Sequence, residues 1–497
     1  MNKESYEALV AQLVREADDH PELFRRKTAL LVLLGLGYLG LLLTLALVMM
    51  TLAPWWLTQQ GLGVVGIGTV LAGLMLGAST LITLYLPFSL PEGELVDEHN
   101  APELMRAIDK VRRAVNGPRL DAVWLTTEFG VSLIQHNRFG WFGQRRRHLT
   151  IGLPLLHCLS GGQFAAVLAH EYSHLPRGGG HPGAWIYHQR QLWRQLAERL
   201  GEVGWLGWTL RPFLFHYWPH FDAYTFVFCR NEEFQADRLA AEVAGPRHTA
   251  DALLAMHLRA DFLEKDFWPR QLAVAEREPA PVGRPFATLP LALRASFDEA
   301  IDRDRLRALL AVKRSRHDTH PTLTERLVAL QMGARVVPPP EHSAAERVLG
   351  HRAVDWARLL DERWREEIHG WWRDEFRAAE RAQERLRQWD EVSPGPAGAR
   401  FEYAVLTERY RPDSDPVPLY QNVLQQDPHH MGAHYAIGRL LVAKGHIDGL
   451  HHLDYAAHGD NLELSWAACQ HAARFLESRG QEVAARRYQE RAEALLA

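Results

Sequence analysis

The sequence predicts an α+β protein that is mostly α-helical, and three observations lead to this fold class. A long uncharged apolar stretch predicts two transmembrane helices within residues 1–95. Helical periodicity interrupted by two short β-type segments predicts a central domain over 96–335 with a small antiparallel sheet. After the proline-rich stretch VVPPPEH at 336–342, charged helical patterns predict a helical C-terminal region over 343–497.

Length and composition exclude several classes of protein. A chain of 497 residues is too long for one hydrophobic core. The formal net charge of −4 leaves no basic surplus to neutralise phosphates, so a nucleic-acid partner is not expected. Three widely spaced cysteines argue against a disulfide framework or a metal knuckle and suit a reducing compartment. They are Cys158, Cys229 and Cys469.

The N-terminal region predicts a membrane hairpin. No Asp, Glu, Lys, Arg or His occurs from Thr28 to Pro91. Two apolar runs within it, at about 29–50 and 64–86, each reach the roughly 20 residues that a bilayer-spanning helix needs. A signal peptide fits poorly because a second run follows at once. The alternative is a buried helical hairpin in a soluble core.

Basic residues predict the orientation of this hairpin. Arg25, Arg26 and Lys27 precede the first run, whereas the connecting loop has no basic residue. The positive-inside rule then places the N-terminus and the chain after Leu86 in the cytoplasm. We therefore expect an integral membrane protein. The bias of the basic residues toward arginine is typical of a GC-rich bacterial genome, so a bacterial inner membrane is expected.

The stretch GGQFAAVLAHEYSHLPRGGG at 161–180 predicts a metal-binding helix. Ser160 and Gln163 match a capping box, so a helix is expected to begin here. His170 and His174 then lie one turn apart on one face, where both imidazoles can reach one zinc ion. Glu171 can face the open coordination position and act as a base. Because the chain has 26 histidines, this pattern arises by chance roughly one time in ten.

A zinc site needs a third ligand, and three candidates follow. His181 lies one residue beyond the position that metzincin-type sites use, and His188 has no partner at helical spacing, which favours a surface position. The stretch 230–242 reads as an amphipathic helix from which Glu233 faces the metal. Asp237, one turn on, is placed to orient a ligand histidine. The apolar face of this helix is expected to hold Phe234, Leu239 and Val243.

HEYSH followed by EFQAD resembles the HtpX-type and type I CAAX prenyl protease-type membrane metallopeptidases. The resemblance covers about residues 95–335 and implies a zincin-type domain of the gluzincin class with one Zn²⁺ per chain. It implies His170, His174 and Glu233 as ligands and Glu171 as the base. Asp237 is implied as an outer partner of the ligands.

The same resemblance extends to the tail motif THPTLTER, which contains His320, Pro321 and Arg326. In the family this histidine lies near the substrate, so His320 is expected to stabilise the oxyanion. A departure is that GVSLIQHNRFG at 130–140 replaces the family's Asn-Ala-Phe stretch. VSLI still reads as a strand paired with LTIG at 149–152. Substrate pairing is therefore expected along Val131, Ser132, Leu133 and Ile134.

A second departure concerns the interval between the two motifs, where HtpX-type enzymes carry two further spans. Here the interval holds the aromatic stretch 204–229, interrupted by Arg211, Pro219 and Asp222. We expect a helix that lies at the membrane face or roofs the cleft. An ordinary buried helical segment remains the alternative.

The C-terminal region predicts helix pairs. Gly445 and Gly480 repeat at nearly the 34-residue period of tetratricopeptide repeats, and Asp427-Pro428 stands where such repeats often begin. Such a module offers a surface for a protein partner. The histidine pairs at 429–430 and 451–452 are expected on the surface because no shared face is evident.

Together these observations predict a membrane-anchored zinc metalloendopeptidase that cleaves proteins or peptides on the cytoplasmic side, with turnover of membrane proteins as its task. Its predicted partners are a protein or peptide substrate and the lipid bilayer. A non-enzymatic scaffold or adaptor that uses the C-terminal repeats is one alternative. CAAX-type processing of lipidated peptides is another, although two spans are too few to enclose a chamber.

Overall fold

The computed structural model describes residues 3–85, 91–139, 142–175, 182–199, 207–312 and 320–495. The chain divides into two compact units. The first comprises Met1–Gln271 with Gly283–Glu366, and the second comprises Leu272–Val282 with Glu367–Ala497. The proline-rich stretch 336–342 lies within the first unit, and the division falls inside a long helix.

The first unit begins with four helices. They are α1 Lys3–Asp19, α2 Pro21–Met50, α3 Leu52–Gln59 and α4 Gly63–Leu84. The stretches Pro21–Gln59 and Gly63–Ile82 are long and apolar enough to cross a membrane, by length and composition. The two predicted runs are thus confirmed as helices.

A four-stranded sheet follows, with the order β1-β2-β4-β3. Its strands are β1 Glu94–Val96, β2 Ala122–Thr126, β3 Val131–Phe139 and β4 Phe142–Gly152, and α5 Pro102–Ala114 joins β1 to β2. The predicted pairing of VSLI with LTIG is confirmed, since Val131 stands opposite Ile151 in an antiparallel register.

The prediction of a purely antiparallel sheet is wrong, because β2 and β4 are parallel. The chain reverses before β3 and again after it, so β4 runs in the direction of β2. Strand β4 lies inside the sheet between β2 and β3, and its Leu149 and Ile151 are fully buried. As a result, β3 is one of the two edge strands of the described sheet, and β1 is the other.

Five helices then build the body of the first unit. They are α6 Leu153–Cys158, α7 Gly161–Ser173, α8 Pro182–Arg199, α9 Arg211–Ala244 and α10 Pro246–Phe262. The predicted capping box at the start of α7 is confirmed, with Ser160 and Gln163 bonding reciprocally.

Helix α9 joins the N-terminal helices to the HEYSH helix. Its first half runs antiparallel to α2, with Phe213 stacked on Tyr38 at 4.0 Å and Tyr224 stacked on Phe24 at 5.8 Å. Its second half contains the EFQAD motif and packs against α7. The segment 211–229 is therefore the first half of the EFQAD helix and packs beside α2. Residues 204–206 of the predicted segment lie outside the described residues.

The first unit is completed by shorter elements. They are a π-helix Leu263–Phe267, α11 Trp268–Leu272, α12 Pro285–Ala295, α13 Glu299–Leu310, α14 Leu323–Ala329 and α15 Ala344–Leu349. The 3₁₀ helix Ala273–Glu276 lies in the second unit. Buried Arg259 pairs with buried Asp302 at 3.0 Å and donates to the carbonyl of Val337 at 2.9 Å. These contacts hold α13 and the stretch 336–342 against α10.

The second unit is built from helix pairs. Its elements are the second half of α16 Arg352–Glu391, then α17 Ala397–Tyr410, α18 Val417–Gln426, α19 Met431–Ala443, α20 Gly449–Ala457, α21 Leu462–Ser478 and α22 Glu482–Ala494. Gly445 and Gly480 have φ values of 81° and 72° just after α19 and α21. Their regular spacing therefore marks two equivalent helix ends, where the left-handed conformation favours glycine. Kinship with tetratricopeptide repeats stays a prediction.

Candidate metal centre and cleft

Three side chains predicted as ligands converge in the first unit. His170 Nε2 and His174 Nε2 lie 3.4 Å apart. Glu233 places Oε2 3.4 Å from His170 Nε2 and Oε1 3.5 Å from His174 Nε2. All three offer ligand atoms within 4.8 Å of one another.

These spacings fit one tetrahedral metal ion. Two ligand atoms that each bind a zinc ion at about 2.0–2.1 Å stand about 3.3–3.4 Å apart at the tetrahedral angle. The three observed separations, 3.4, 3.4 and 3.5 Å, agree with this value. Two imidazoles and one carboxylate also form a donor set that catalytic zinc sites use. The residues present therefore fit the metal that the sequence predicts.

Local structure explains how α7 presents its two histidines. The capping box starts α7 at Gly161, and His174 stands at its C-terminal end, so His170 and His174 are one turn apart. The residues between Ser160 and His170 are mostly buried and apolar, which anchors this helix in the core. If HEYSH were a chance pattern, no carboxylate from another helix would be expected beside its two histidines.

Helix α9 presents the predicted carboxylates Glu233 and Asp237, but the rest of its buried face differs from the prediction. The prediction that Phe234, Leu239 and Val243 point inward is wrong, because all three are only partly buried. The buried face instead holds Glu233, Ala236, Asp237 and Ala240. Alanines let α9 pack closely on α7, and the two acids face the histidines. An apolar-face rule fails here because the interior that receives α9 is polar.

Asp237 and Arg326 form a buried pair behind the first histidine. His170 Nδ1 lies 3.0 Å from Asp237 Oδ1, which suits the predicted outer partner of a ligand. Arg326 donates from Nε to Asp237 Oδ2 at 2.7 Å and from a terminal nitrogen to Oδ1 at 2.6 Å. Sequence reasoning noted Arg326 only as part of a motif. The motif was the sequence signal for this contact, but it did not indicate that Asp237 is the partner of Arg326.

The pKa values of the two histidines are shifted in opposite directions. Burial opposes protonation of His170, but its bonds with Asp237 and Glu233 outweigh burial and raise its pKa to about 9. Burial and the positive charge of His170 lower the pKa of His174 to about 4. Burial works against ionisation of Glu233, yet the neighbouring histidines hold its pKa well below the usual range. The cluster is thus built around negative charge and suits a cation.

Glu171 lies between the metal cluster and the edge strand. Its Oε2 accepts a hydrogen bond from the backbone N–H of Leu133 at 3.3 Å, and burial raises its pKa. The carbonyl group of Ser132 points toward β4, where it accepts a hydrogen bond from the hydroxyl of Thr150 at 3.2 Å. All four predicted substrate-binding positions pair with β4. Among them, the backbone N–H of Leu133 contacts Glu171 and Val131 lines the cleft.

His320 stands at the rim of this cluster. Its Nδ1 lies 2.9 Å from Glu233 Oε2, and its side chain is 54% exposed, so a substrate can reach it. The segment after it is anchored by a capping box at Thr322 and by an ion pair between Glu325 and Arg230 of α9. Its predicted part in catalysis stays a prediction.

Three further residues concern the ligand assignment: the other two candidate ligands, His188 and His181, and Tyr187. His188 is buried, so its predicted surface position is wrong, while His181 lies outside the described residues. Tyr187 of α8 stacks on His174, with ring centroids 5.1 Å apart and planes inclined by 17°. Sequence reasoning missed this contact because nothing in the local pattern around Tyr187 points to α7.

Comparison with known families agrees with this geometry. Residues 126–333 match the family described as peptidase family M48. The matched region begins in β2 and contains the cluster, the edge strand and the tail motif. A search of curated proteins finds no match. The region 126–333, which contains the candidate metal site, is therefore similar to peptidase family M48, a family of metallopeptidases.

Proposed function

We propose that this protein is a membrane-anchored, zinc-dependent endopeptidase that hydrolyses peptide bonds on the cytoplasmic side. The observation that carries the proposal is the convergence of His170, His174 and Glu233 at tetrahedral spacing, with Glu171 beside them. A bound Zn²⁺, held by these three ligands, would polarise a carbonyl group and acidify water. Asp237 orients His170 by accepting from its Nδ1.

Glu171 is the proposed general base. Its carboxylate accepts a proton from the attacking water and returns that proton to the leaving amine. Burial, which raises its pKa, helps the carboxyl group to hold the proton between these two steps. The hydrogen bond from Leu133 fixes the carboxylate toward the strand along which the substrate would lie.

The edge strand β3 is the proposed substrate platform. An extended peptide can add to an exposed sheet edge through main-chain hydrogen bonds. At nine residues, β3 is long enough to hold a stretch of chain rather than a terminus, which favours cleavage within a chain. His320, at the rim, would stabilise the negative charge that develops on the substrate carbonyl oxygen.

Exposed apolar residues support the membrane anchor. Only 28% of the most apolar window in each candidate span is buried within the protein. Leu30, Leu33, Leu34 and Leu41 of α2 are more than half exposed. Lipid is the environment in which such a surface is stable. With Arg25, Arg26 and Lys27 at the entry to α2, the positive-inside rule places the metal site in the cytoplasm.

This placement favours membrane proteins as substrates, because an active site anchored at the cytoplasmic side of the membrane lies close to their cytoplasmic loops. A scaffold that only recruits partners has no need for a buried Glu171 next to a metal cluster. Lipidated peptides would need an enclosed apolar chamber, and the two candidate spans among the described residues are too few to form one.

The proposed function is tested by Glu171→Gln in purified full-length protein. We expect cleavage of casein or a membrane-protein loop to fall by about 10²–10⁴-fold, because the base is lost. Zinc content should stay near one per chain, since the ligands remain. The matched control is Glu242→Gln, an exposed carboxylate on α9. Unchanged cleavage by Glu171→Gln, or chelator-resistant cleavage by the native protein, contradicts the proposal.

A further inference from the structure

Helix α8 reaches the candidate metal site from a direction that neither α7 nor α9 uses. Its Tyr187 lies against the face of His174, with ring centroids 5.1 Å apart and planes inclined by 17°. This is the geometry of an offset aromatic stack. His174 is the residue at which α7 ends, and its Nε2 lies 3.5 Å from Glu233 Oε1. The stack therefore restrains rotation of this imidazole without using either of its nitrogens.

The two histidine ligands are thus held by different kinds of contact. His170 is held at its edge, where Nδ1 lies 3.0 Å from Asp237 Oδ1. His174 is held at its face by the ring of Tyr187. The hydroxyl of Tyr187 is hydrogen-bonded to the side chain of Gln191, one turn further along α8. The ring of Tyr187, and not its hydroxyl, is therefore the part that acts on His174.

An ion pair fixes α8 close to Tyr187. Arg190 lies three residues further along and pairs with Asp222 Oδ1 of α9 at 2.8 Å. The same guanidinium donates to the carbonyl of Asp222 at 2.8 Å and to the hydroxyl of Thr225 at 2.5 Å. Both charged side chains are largely buried. Several directed bonds from one guanidinium define the rotation of α8, and with it the side on which Tyr187 projects.

A close contact with the apolar helix α2 fixes α8 further along. Trp193 is fully buried, and its ring centroid lies 5.3 Å from that of Tyr217. A Cβ atom added to Gly35 of α2 would lie 2.7 Å from Cζ2 of Trp193 and 2.5 Å from the hydroxyl oxygen of Tyr217. That hydroxyl donates to the carbonyl of Leu31 at 3.0 Å. Helices α2, α8 and α9 therefore meet at a glycine that leaves no room for a side chain.

We propose that Tyr187 is a positioning residue for the ligand His174, and that packing of α8 against α2 at Gly35 sets its position. This inference rests on the proposed zinc site. Trp193 stands six residues from Tyr187, about 9 Å along the helix. The affinity for zinc therefore depends on a packing contact within the N-terminal apolar helix.

The first test measures zinc affinity by chelator competition, and the absorption spectrum after cobalt substitution, in the full-length protein. Tyr187→Ala should weaken zinc binding by about 3–10-fold, the effect of losing one aromatic stack, and should change the cobalt bands because His174 can rotate. Tyr187→Phe keeps the ring and should restore both. Tyr187→Leu replaces the alanine variant if that variant fails to fold.

The matched control is Tyr455→Ala in the second unit. Tyr455 also stacks on a histidine, His434, with ring centroids 4.1 Å apart, but away from the metal cluster. Its loss should leave zinc affinity and the cobalt spectrum unchanged. Native affinity and spectrum in Tyr187→Ala, or equal impairment in Tyr187→Phe, would overturn the inference and leave the zinc site standing. Native protein that binds no zinc would overturn both.

The second test separates a contact that acts through Tyr187 from general loosening. Gly35→Ala should weaken zinc binding by at least about twofold and shift the cobalt bands in the direction seen for Tyr187→Ala. Gly40→Ala is the control, because a Cβ atom there meets nothing within 4 Å. In the Tyr187→Ala background, Gly35→Ala should add little further loss, since both changes act on one contact. Fully additive losses, or native zinc binding by Gly35→Ala, would overturn the role of α2.

Discussion

Two histidine clusters among the described residues, one in each unit, have different surroundings. In the first unit, His170 is bonded to Asp237 and lies beside Glu233. In the second unit, His434 Nδ1 lies 3.0 Å from His452 Nδ1, and His434 Nε2 lies 3.0 Å from the carbonyl of Pro428. The first cluster contains two carboxylates, whereas the second pairs imidazoles with each other and with a backbone carbonyl.

The carboxylates decide what each cluster can do. They raise the pKa of His170 to about 9 despite its burial. Burial and the neighbouring His434 and His451 lower the pKa of His452. Protonation of an imidazole is therefore favoured in the first environment and disfavoured in the second. Among the described residues, only His170, His174 and Glu233 form a convergent group of three metal-binding side chains.

The second cluster also corrects a prediction about the histidine pairs. His429 and His451 are exposed, as expected, but His430 and His452 are partly buried. His434, which the sequence did not single out, is buried and supplies the partner of His452. The shared face exists because α19 and α20 pack antiparallel, which spacing along the chain does not reveal.

The largest expected effect comes from removing the carboxylate that distinguishes the first cluster. Glu233→Ala leaves two imidazoles, so zinc affinity should fall by more than the roughly 10–100-fold typical of losing an outer partner. Metal analysis after dialysis should show nearly zinc-free protein and no chelator-sensitive cleavage. His434→Ala is the matched control and should keep the native zinc content. Zinc retained by Glu233→Ala would show that the third ligand is misassigned.

A smaller effect is expected behind the ligands. Asp237→Asn should weaken zinc binding by about 10–100-fold and also destabilise the fold by about 3–5 kcal/mol, because Arg326 stays buried without its charge partner. Adding Arg326→Met should restore much of the stability but not the zinc affinity. Competition with a zinc chelator and denaturant unfolding measure the two quantities separately. Recovery of both by the double variant would mean that Asp237 acts only through folding.

The smallest effect concerns pH in the second cluster. The pKa of His452 is lowered in the folded state, so the unfolded chain binds more protons than the folded one below about pH 6.5. Stability of α19 and α20 should therefore fall as the pH drops from about 7.5 to 5.5. Hydrogen exchange of these helices, corrected for intrinsic rates, measures the change.

The control for this last prediction is the exposed His446. His452→Asn should reduce the pH dependence, and His446→Asn should not. Equal pH dependence in the native protein and His452→Asn would show that the imidazole pair does not differ from surface histidines in its coupling to folding.

Much of the candidate site could be predicted because its determinants are local. The capping box, the one-turn spacing of His170 and His174 and the position of Glu171 all lie within one helix. The third ligand was harder. Spacing disfavoured His181 and His188, and the resemblance between motifs then supported Glu233 as the third ligand.

What the sequence did not predict involves pairs of distant elements. The mixed sheet depends on which strand lies inside, and hydrophobic alternation does not encode that order. The inward face of α9 was predicted wrongly because the rule assumes an apolar interior. The contact of Arg326 with Asp237 and the stacking of Tyr187 on His174 exist only after α7, α8, α9 and α14 pack together.

By itself, then, the amino-acid order determined which segments are helical, which run is apolar enough for lipid, and which turn of helix carries a paired-imidazole motif. These follow from backbone hydrogen bonding and side-chain periodicity over a few residues. Only tertiary packing decided how closely the carboxylates approach those imidazoles and which arginine balances them. Such choices depend on burying charge beside opposite charge, and that energy is set by distances between elements far apart in the chain.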